Sequence, residues 1–95
     1  QQRRNLMMHG FAEMGLPVAA PEGAFYIFPD IRKTGLTSEE FATKMINEYK
    51  VAVVPGTAFG AGAEGFVRCC YATEIGKLKE ALRRMKLMVE GKPLD

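Results

Sequence analysis

The sequence predicts an α+β fold, a small antiparallel or mixed sheet with helices largely on one face, and three observations predict it. Segments whose apolar residues recur at helical spacing alternate with short aromatic or β-branched runs of strand length. The resulting order is α-β-β-α-β-β-α, which suits helices packed on one side of a sheet. Finally, 95 residues with 47% hydrophobic and 25% charged side chains provide for one modest core and no second one.

The first helix runs from Arg3 to Met14, where Met7, Phe11 and Met14 form a stripe with Leu6 and Gly10 beside it, and Gly15 and Pro17 supply the stop. His9 falls opposite that stripe and is expected in solvent. After a short strand at Val18 to Ala20, a Pro21-Glu22-Gly23 turn leads into a strand, Ala24 to Phe28, that looks covered on both faces. Thr37 and Glu40 form a T-x-x-E capping box, and Leu36 and Phe41 are placed as a hydrophobic staple. The helix that starts there has Phe41, Ala42, Met45, Ile46 and Tyr49 as its buried face. Val51 to Val54 reads as a short buried strand, Pro55 to Gly65 as a Gly/Ala-rich loop, and Phe66 to Ala72 as a further strand. The last helix begins near Glu74, carries the stripe Ile75, Leu78, Leu82, Met85 and Val89, and is closed by Gly91 and Pro93.

Charge and cysteine usage exclude several functions. A net charge of +2 is too small to mark a nucleic-acid or membrane-surface binder. No apolar run approaches the ~18 residues of a membrane span. Lys77, Lys79, Arg83, Arg84 and Lys86 make the last helix basic, but Glu74, Glu80 and Glu90 interleave and the face reads as solvated. Cys69 and Cys70 are adjacent, so in a strand they point to opposite faces and do not pair with each other; a reducing, cytoplasmic setting is compatible. One histidine and no His or Cys pair at ligand spacing supply little for metal or nucleophilic catalysis. The methionines at 7, 14, 45 and 85 fall on buried stripes as core filler. The opening Gln1-Gln2-Arg3-Arg4, with neither an initiating Met nor a signal-peptide apolar region, suggests a chain cut from something longer.

Two motifs invite chemistry. Gly60 to Gly65 matches G-x-G-x-x-G, but a dinucleotide fingerprint enters a helix whereas here a strand follows, so the glycines serve a loop. Arg68 is more informative. Strand alternation puts it on one face with Phe66, Cys70 and Ala72, and puts Val67, Cys69 and Tyr71 on the other. A guanidinium in such a run needs an anionic partner. Either a carboxylate such as Glu22, Glu64 or Asp30 supplies a structural ion pair, or a ligand carboxylate meets the planar fork.

Taken together, Pro21-Glu22-Gly23-Ala24-Phe25-Tyr26, Val51 to Gly60 (VAVVPGTAFG) and Gly65-Phe66-Val67-Arg68 with Tyr71-Ala72 closely resemble the C-terminal small domain of class I/II aminotransferases, pyridoxal-phosphate enzymes of fold type I. The resemblance covers nearly the whole chain, and three ordered motifs are far more specific than any one. It implies a single domain over residues 1–95 whose Arg68 binds the α-carboxylate of an amino-acid or 2-oxo-acid substrate, with Phe25, Tyr26, Gly56, Thr57 and Phe59 as cleft neighbours and no catalytic residue or metal site of its own. It also implies that pyridoxal 5'-phosphate, its lysine and its phosphate cup belong to a large domain of the same protein, that the parent is a cytoplasmic homodimer, and that the 95-residue chain alone is inactive. Two other readings stay open: an aminotransferase-like module of a transcription regulator, and a standalone carboxylate-binding or interaction module. A domain severed from its partner is expected to expose an apolar face.

Overall fold

A computed structural model describes residues 2–19 and 25–95; the turn at 21–23, Ala20 and Ala24 lie outside the described residues. Helix α1 (Gln2–Met14) leads to β1 (Val18–Ala19) and β2 (Tyr26–Pro29). Helix α2 (Ser38–Glu48), β3 (Val54–Pro55), β4 (Val67–Cys70) and α3 (Ile75–Val89) follow, which is the expected order. Short 3-10 turns occupy Arg32–Thr34, Gly56–Phe59 and Ala61–Ala63. The described strands pair antiparallel throughout, in the order β1-β2-β4-β3. Tyr26 lies opposite Cys70 and Ile27 opposite Cys69, and the same register continues to Asp30 opposite Phe66. Phe28 therefore faces Arg68 across the two central strands.

The core fills the space between the three helices and one face of this sheet. Met7, Phe11 and Met14 of α1, Phe41 and Met45 of α2, and Leu78, Leu82, Met85 and Met88 of α3 join Ile27, Val67, Cys69 and Tyr71 in one buried cluster. The four methionines expected in the core are all there, filling gaps between stiffer side chains. Gly10 lets α1 approach α3: a Cβ at that position would lie 2.8 Å from Leu82 methyl carbons. The capping box forms as expected, with Glu40 N donating to Thr37 Oγ1 (3.1 Å) and Thr37 N to Glu40 Oε1 (2.9 Å). On α3 the basic face is largely exposed, and Glu80 accepts from Arg83 and Arg84, whose hydrogen bonds hold its carboxyl down to about 2.

Several expectations are corrected. The strand expected at Ala24 to Phe28 begins at Tyr26, because Phe25 has a left-handed backbone (φ 70°) that an extended run cannot pass through. Nor is it covered on both faces: Ile27 is buried, while Tyr26 is 41% exposed because the helices cover only the other side. Of Val51 to Val54 only Val54 enters a strand. Lys50 turns left-handed (φ 60°) after α2 and Val51 N donates back to Met45 O (3.1 Å), which takes that amide out of the ladder. The segment Phe66 to Ala72 pairs as a strand over Val67–Cys70, flanked by single contacts at Phe66 and at Tyr71 N, which donates to Phe25 O (2.8 Å). Ile46, expected on the buried face of α2, is 47% exposed. It stands five residues past Phe41, turned by about 140° around the helix. On α3 the stripe ends on Met88 rather than Val89, which is only half-buried.

A second glycine is dictated by close approach, here of backbone. Gly56 is buried with its N–H donating to Phe66 O (2.8 Å), and a Cβ there would lie 2.0 Å from Ala63 O and 2.6 Å from Phe66 O. These are backbone atoms that cannot swing aside. Gly62, by contrast, faces open space. Gly56→Ala is therefore expected to destabilise the fold by about 3 kcal/mol through overpacking, and Gly62→Ala to change it by no more than about 0.5 kcal/mol. Urea unfolding midpoints of the two variants check the contrast.

Candidate carboxylate-binding site

The site grows from β4. Val67 and Cys69 point into the core at 0% and 4% exposure, so the period of two turns Arg68 and Cys70 to the side the helices leave open. The half-buried Arg68 meets no carboxylate among the described residues. Its guanidinium carbon lies 4.3 Å from the Tyr26 ring centroid and 4.5 Å from that of Phe59, so two aromatic rings flank it. Each ring offers the negative face of its quadrupole to the cation. Phe59 is itself met edge-to-face by Phe28, with ring centroids 6.2 Å apart.

Two of the three carboxylates that could have neutralised Arg68 are otherwise engaged. Asp30 is paired with Arg32 (Nη2 to Oδ2, 2.6 Å), whose hydrogen bonds hold its carboxyl below the usual range. Glu64 accepts from Ser38, by its backbone N–H at 2.9 Å and by its hydroxyl at 3.0 Å, and the backbone bond is the main reason that its carboxyl is also held low. Glu22 lies outside the described residues. Among the described residues, no carboxylate stands in ion-pair range of Arg68. What remains is a cation with a rigid, bidentate hydrogen-bonding edge, supported by rings that cannot neutralise it, on an open aromatic face. That arrangement can accept a carboxylate.

The other expected neighbours divide. Tyr26 and Phe59 meet Arg68 directly. Phe25 is 47% exposed and packs edge-to-face on Tyr71 (6.1 Å) rather than on Arg68. Gly56 and Thr57 contribute backbone: Gly56 fixes the start of the turn that carries Phe59, and Thr57 O accepts from Gly60 N (3.3 Å). Sequence reasoning missed Phe28, although it stands two residues past Tyr26 and so shares its face. It also missed Glu64 as a partner of Ser38, a contact across 26 positions that no local pattern reveals. Gly60 to Gly65 forms a 3-10 turn and runs into β4, so the dinucleotide motif is absent in structure as well as in context.

Cofactor and metal fit can be judged from the side chains present. Among the described residues no group of three His, Cys, Asp or Glu could hold a metal ion. Lys33 donates to Met14 O, Lys50 to Asn47 O, and Lys92 pairs with Glu90. Lys44, Lys77, Lys79 and Lys86 are carried by α2 and α3, the helices packed on the other side of the sheet. No lysine amine joins Arg68 and its rings among the described residues, so they do not fit a seat for a Schiff-base cofactor. His9 is solvated as expected, 3.8 Å from Glu13. No helix among the described residues is long and apolar enough to cross a membrane.

The α+β layer carries on its open face a ring-flanked arginine with no carboxylate partner among the described residues, and comparison places the chain further. Residues 1–85 match the family model for aminotransferase class I and II, and the chain belongs to that family. It is 55% identical over 93 residues to the aspartate aminotransferase of Pyrococcus abyssi, covering 98% of this chain and 24% of that protein. The aromatic aminotransferase structure from Pyrococcus horikoshii OT3 superposes with a TM-score of 0.89 at 53% identity, over 95% of this chain and 24% of the other. A PLP-bound protein of Clostridium difficile 630 superposes with a TM-score of 0.83 at 30% identity, over 93% of this chain and 23% of that one. The chain spans about a quarter of the length of the curated relatives it matches.

The two cysteines give a direct check on which face is open. Cys69 is buried, and burial pushes its thiol up to about 12, whereas Cys70 is exposed two residues past Arg68. A disulfide reagent added to the native chain is expected to label Cys70 quickly and Cys69 only on unfolding. Rapid labelling that persists in Cys70→Ser would refute the register of β4.

Proposed function

We propose that residues 1–95 are the C-terminal small domain of a pyridoxal-phosphate-dependent amino-acid aminotransferase, and that Arg68 binds the α-carboxylate of its amino-acid and 2-oxo-acid substrates. The observation that carries the proposal is the ring-flanked guanidinium, which has no carboxylate partner among the described residues. The family supplies the reaction, and the coverage of about a quarter of the relatives' length supports a larger parent. Relatives of like identity are named for aspartate and for aromatic amino acids. What those substrates have in common is the α-carboxylate, so a shared small domain that recognises this group accounts for both.

On this reading the remainder of the parent holds the cofactor, because the described residues do not fit it. This chain binds and orients. A bidentate pair between Arg68 and the carboxylate fixes one end of the substrate, and the flanking rings fix the plane of the fork before the substrate arrives, so that little orientation remains to be lost on binding. The exposed Phe25, Tyr26 and Phe59 are the surface that closes toward the large domain and excludes water from the cleft. The parent is then a cytoplasmic homodimer, as in the family at large, and the gene upstream of the Gln1 codon encodes a large α/β domain with the cofactor lysine.

In the complete enzyme, Arg68→Lys is expected to raise KM for the amino acid and lower kcat, with kcat/KM falling by about a hundredfold, because an ammonium cannot reproduce the two parallel hydrogen bonds. Steady-state kinetics with wild-type constants in that variant would overturn the assignment. The 95-residue chain alone is expected to show no transamination when supplied with cofactor and substrates, and turnover by the purified chain would disprove its status as a small domain.

A further inference from the structure

Ser38 opens α2 and is fully buried, and both of its donors go to a residue far along the chain: the hydroxyl to Glu64 Oε1 (3.0 Å) and the backbone N–H to Glu64 Oε2 (2.9 Å). Helix α2 already has a local cap in the Thr37–Glu40 box, so starting the helix does not require this second, distant one. What Glu64 does hold is the loop that it ends. From Gly56 the chain runs through two 3-10 turns, tied by Gly60 N to Thr57 O (3.3 Å), Ala63 N to Gly60 O (3.1 Å) and Glu64 N to Ala61 O (3.3 Å). The loop is closed where Gly56 N meets Phe66 O (2.8 Å). Phe59 stands at the tip of the first turn, 48% exposed, with Gly60 and Gly62 beside it. A glycine-bearing loop with so exposed an anchor loses much chain entropy on ordering, so a charged tie at its end has a large share in deciding where Phe59 rests.

We infer that Glu64 is a positioning residue for the Arg68 site: bonded through both oxygens to Ser38, it fixes the 56–65 loop on the start of α2 and thereby keeps the Phe59 ring against the guanidinium. The inference rests on the reading of Arg68 as a carboxylate binder. Its consequence is selective. Freeing the loop loosens one wall of the carboxylate fork, which weakens substrates that carry the carboxylate and spares those that lack it.

The test uses the complete enzyme with Glu64→Ala and Glu64→Gln, assayed with its preferred amino acid and, in single turnover, with the amine that decarboxylation of that amino acid would give. Glu64→Ala is expected to lower kcat/KM for the amino acid about tenfold, largely through KM, while the amine changes by less than about twofold. Glu64→Gln, which keeps an acceptor for Ser38, is expected to recover part of the loss. If both substrates fall together, or if neither changes, Glu64 is a structural tie only and the inference is overturned. Arg68→Lys separates this from the reading beneath it: discrimination that survives Arg68→Lys removes the carboxylate assignment itself, whereas discrimination lost in Arg68→Lys but intact in Glu64→Ala removes only the role of Glu64. Should Glu64→Ala fail to fold, Ser38→Ala and Glu64→Gln carry the same comparison with the same overturning result.

Discussion

Burying Val67, Cys69 and Tyr71 is the constraint on which the rest of the structure depends. These side chains close the core under the three helices at 4% exposure or less, and a strand that commits alternate residues to a core has no choice about the others. Arg68 is thereby held on the open side of the sheet by packing on its opposite face. A slip of one residue would put the guanidinium among Phe11, Phe41 and Met45, where an unpaired charge costs several kcal/mol. The penalty makes the register nearly compulsory, and the site inherits its precision from a hydrophobic core that it never touches.

A second layer of order comes from backbone rather than side chains. Around the aromatic pair that flanks Arg68, the chain is held by amide-to-carbonyl bonds: Gly56 to Phe66, Ile31 to Gly65 and Tyr71 to Phe25. The charged groups nearby serve the same frame. Asp30 takes the Arg32 fork, and Arg32 in turn lies over the Phe66 ring (5.7 Å). With Asp30 and Glu64 both engaged in holding loops, Arg68 is left without a carboxylate partner among the described residues. Its own supports are rings, which set its plane without consuming its hydrogen-bonding capacity. An ion pair in their place would have oriented the guanidinium equally well while occupying the edge that a carboxylate ligand needs.

The open face follows from economy in the chain. Three helices cover one side of a four-stranded sheet, and among the described residues no helix covers the other. Of the large exposed side chains, Tyr26 and Phe59 gather there around Arg68, while Phe25 packs on Tyr71 and Met8 and Ile46 stand apart on α1 and α2. Aromatic rings suit a surface of this kind because they keep large apolar area next to water while still engaging a cation through their faces.

Much of this was legible in the sequence. The helices were readable because a 3.6-residue stripe and a capping box are local, and Thr37 and Glu40 specify the start of α2 without help from the rest of the chain. The facing of β4 was readable because a period of two around Arg68 leaves only two choices and one buries a charge. Three ordered motifs made the family readable. What the folded chain decided were the quantities that no stripe or motif in the sequence sets. They include how far a strand extends, since Val51 gave its amide to Met45 and Phe25 turned left-handed. They include which apolar residues stay exposed, since Ile46 lies at the rim of its helix stripe and Tyr26 on the uncovered face of the sheet. They also include the partner of Glu64, one of the carboxylates that could have met Arg68. Glu64 goes to Ser38 across 26 positions, and a partner at such a distance is fixed by how the chain closes on itself, not by the order of residues along it, whereas Asp30 takes Arg32 only two residues on.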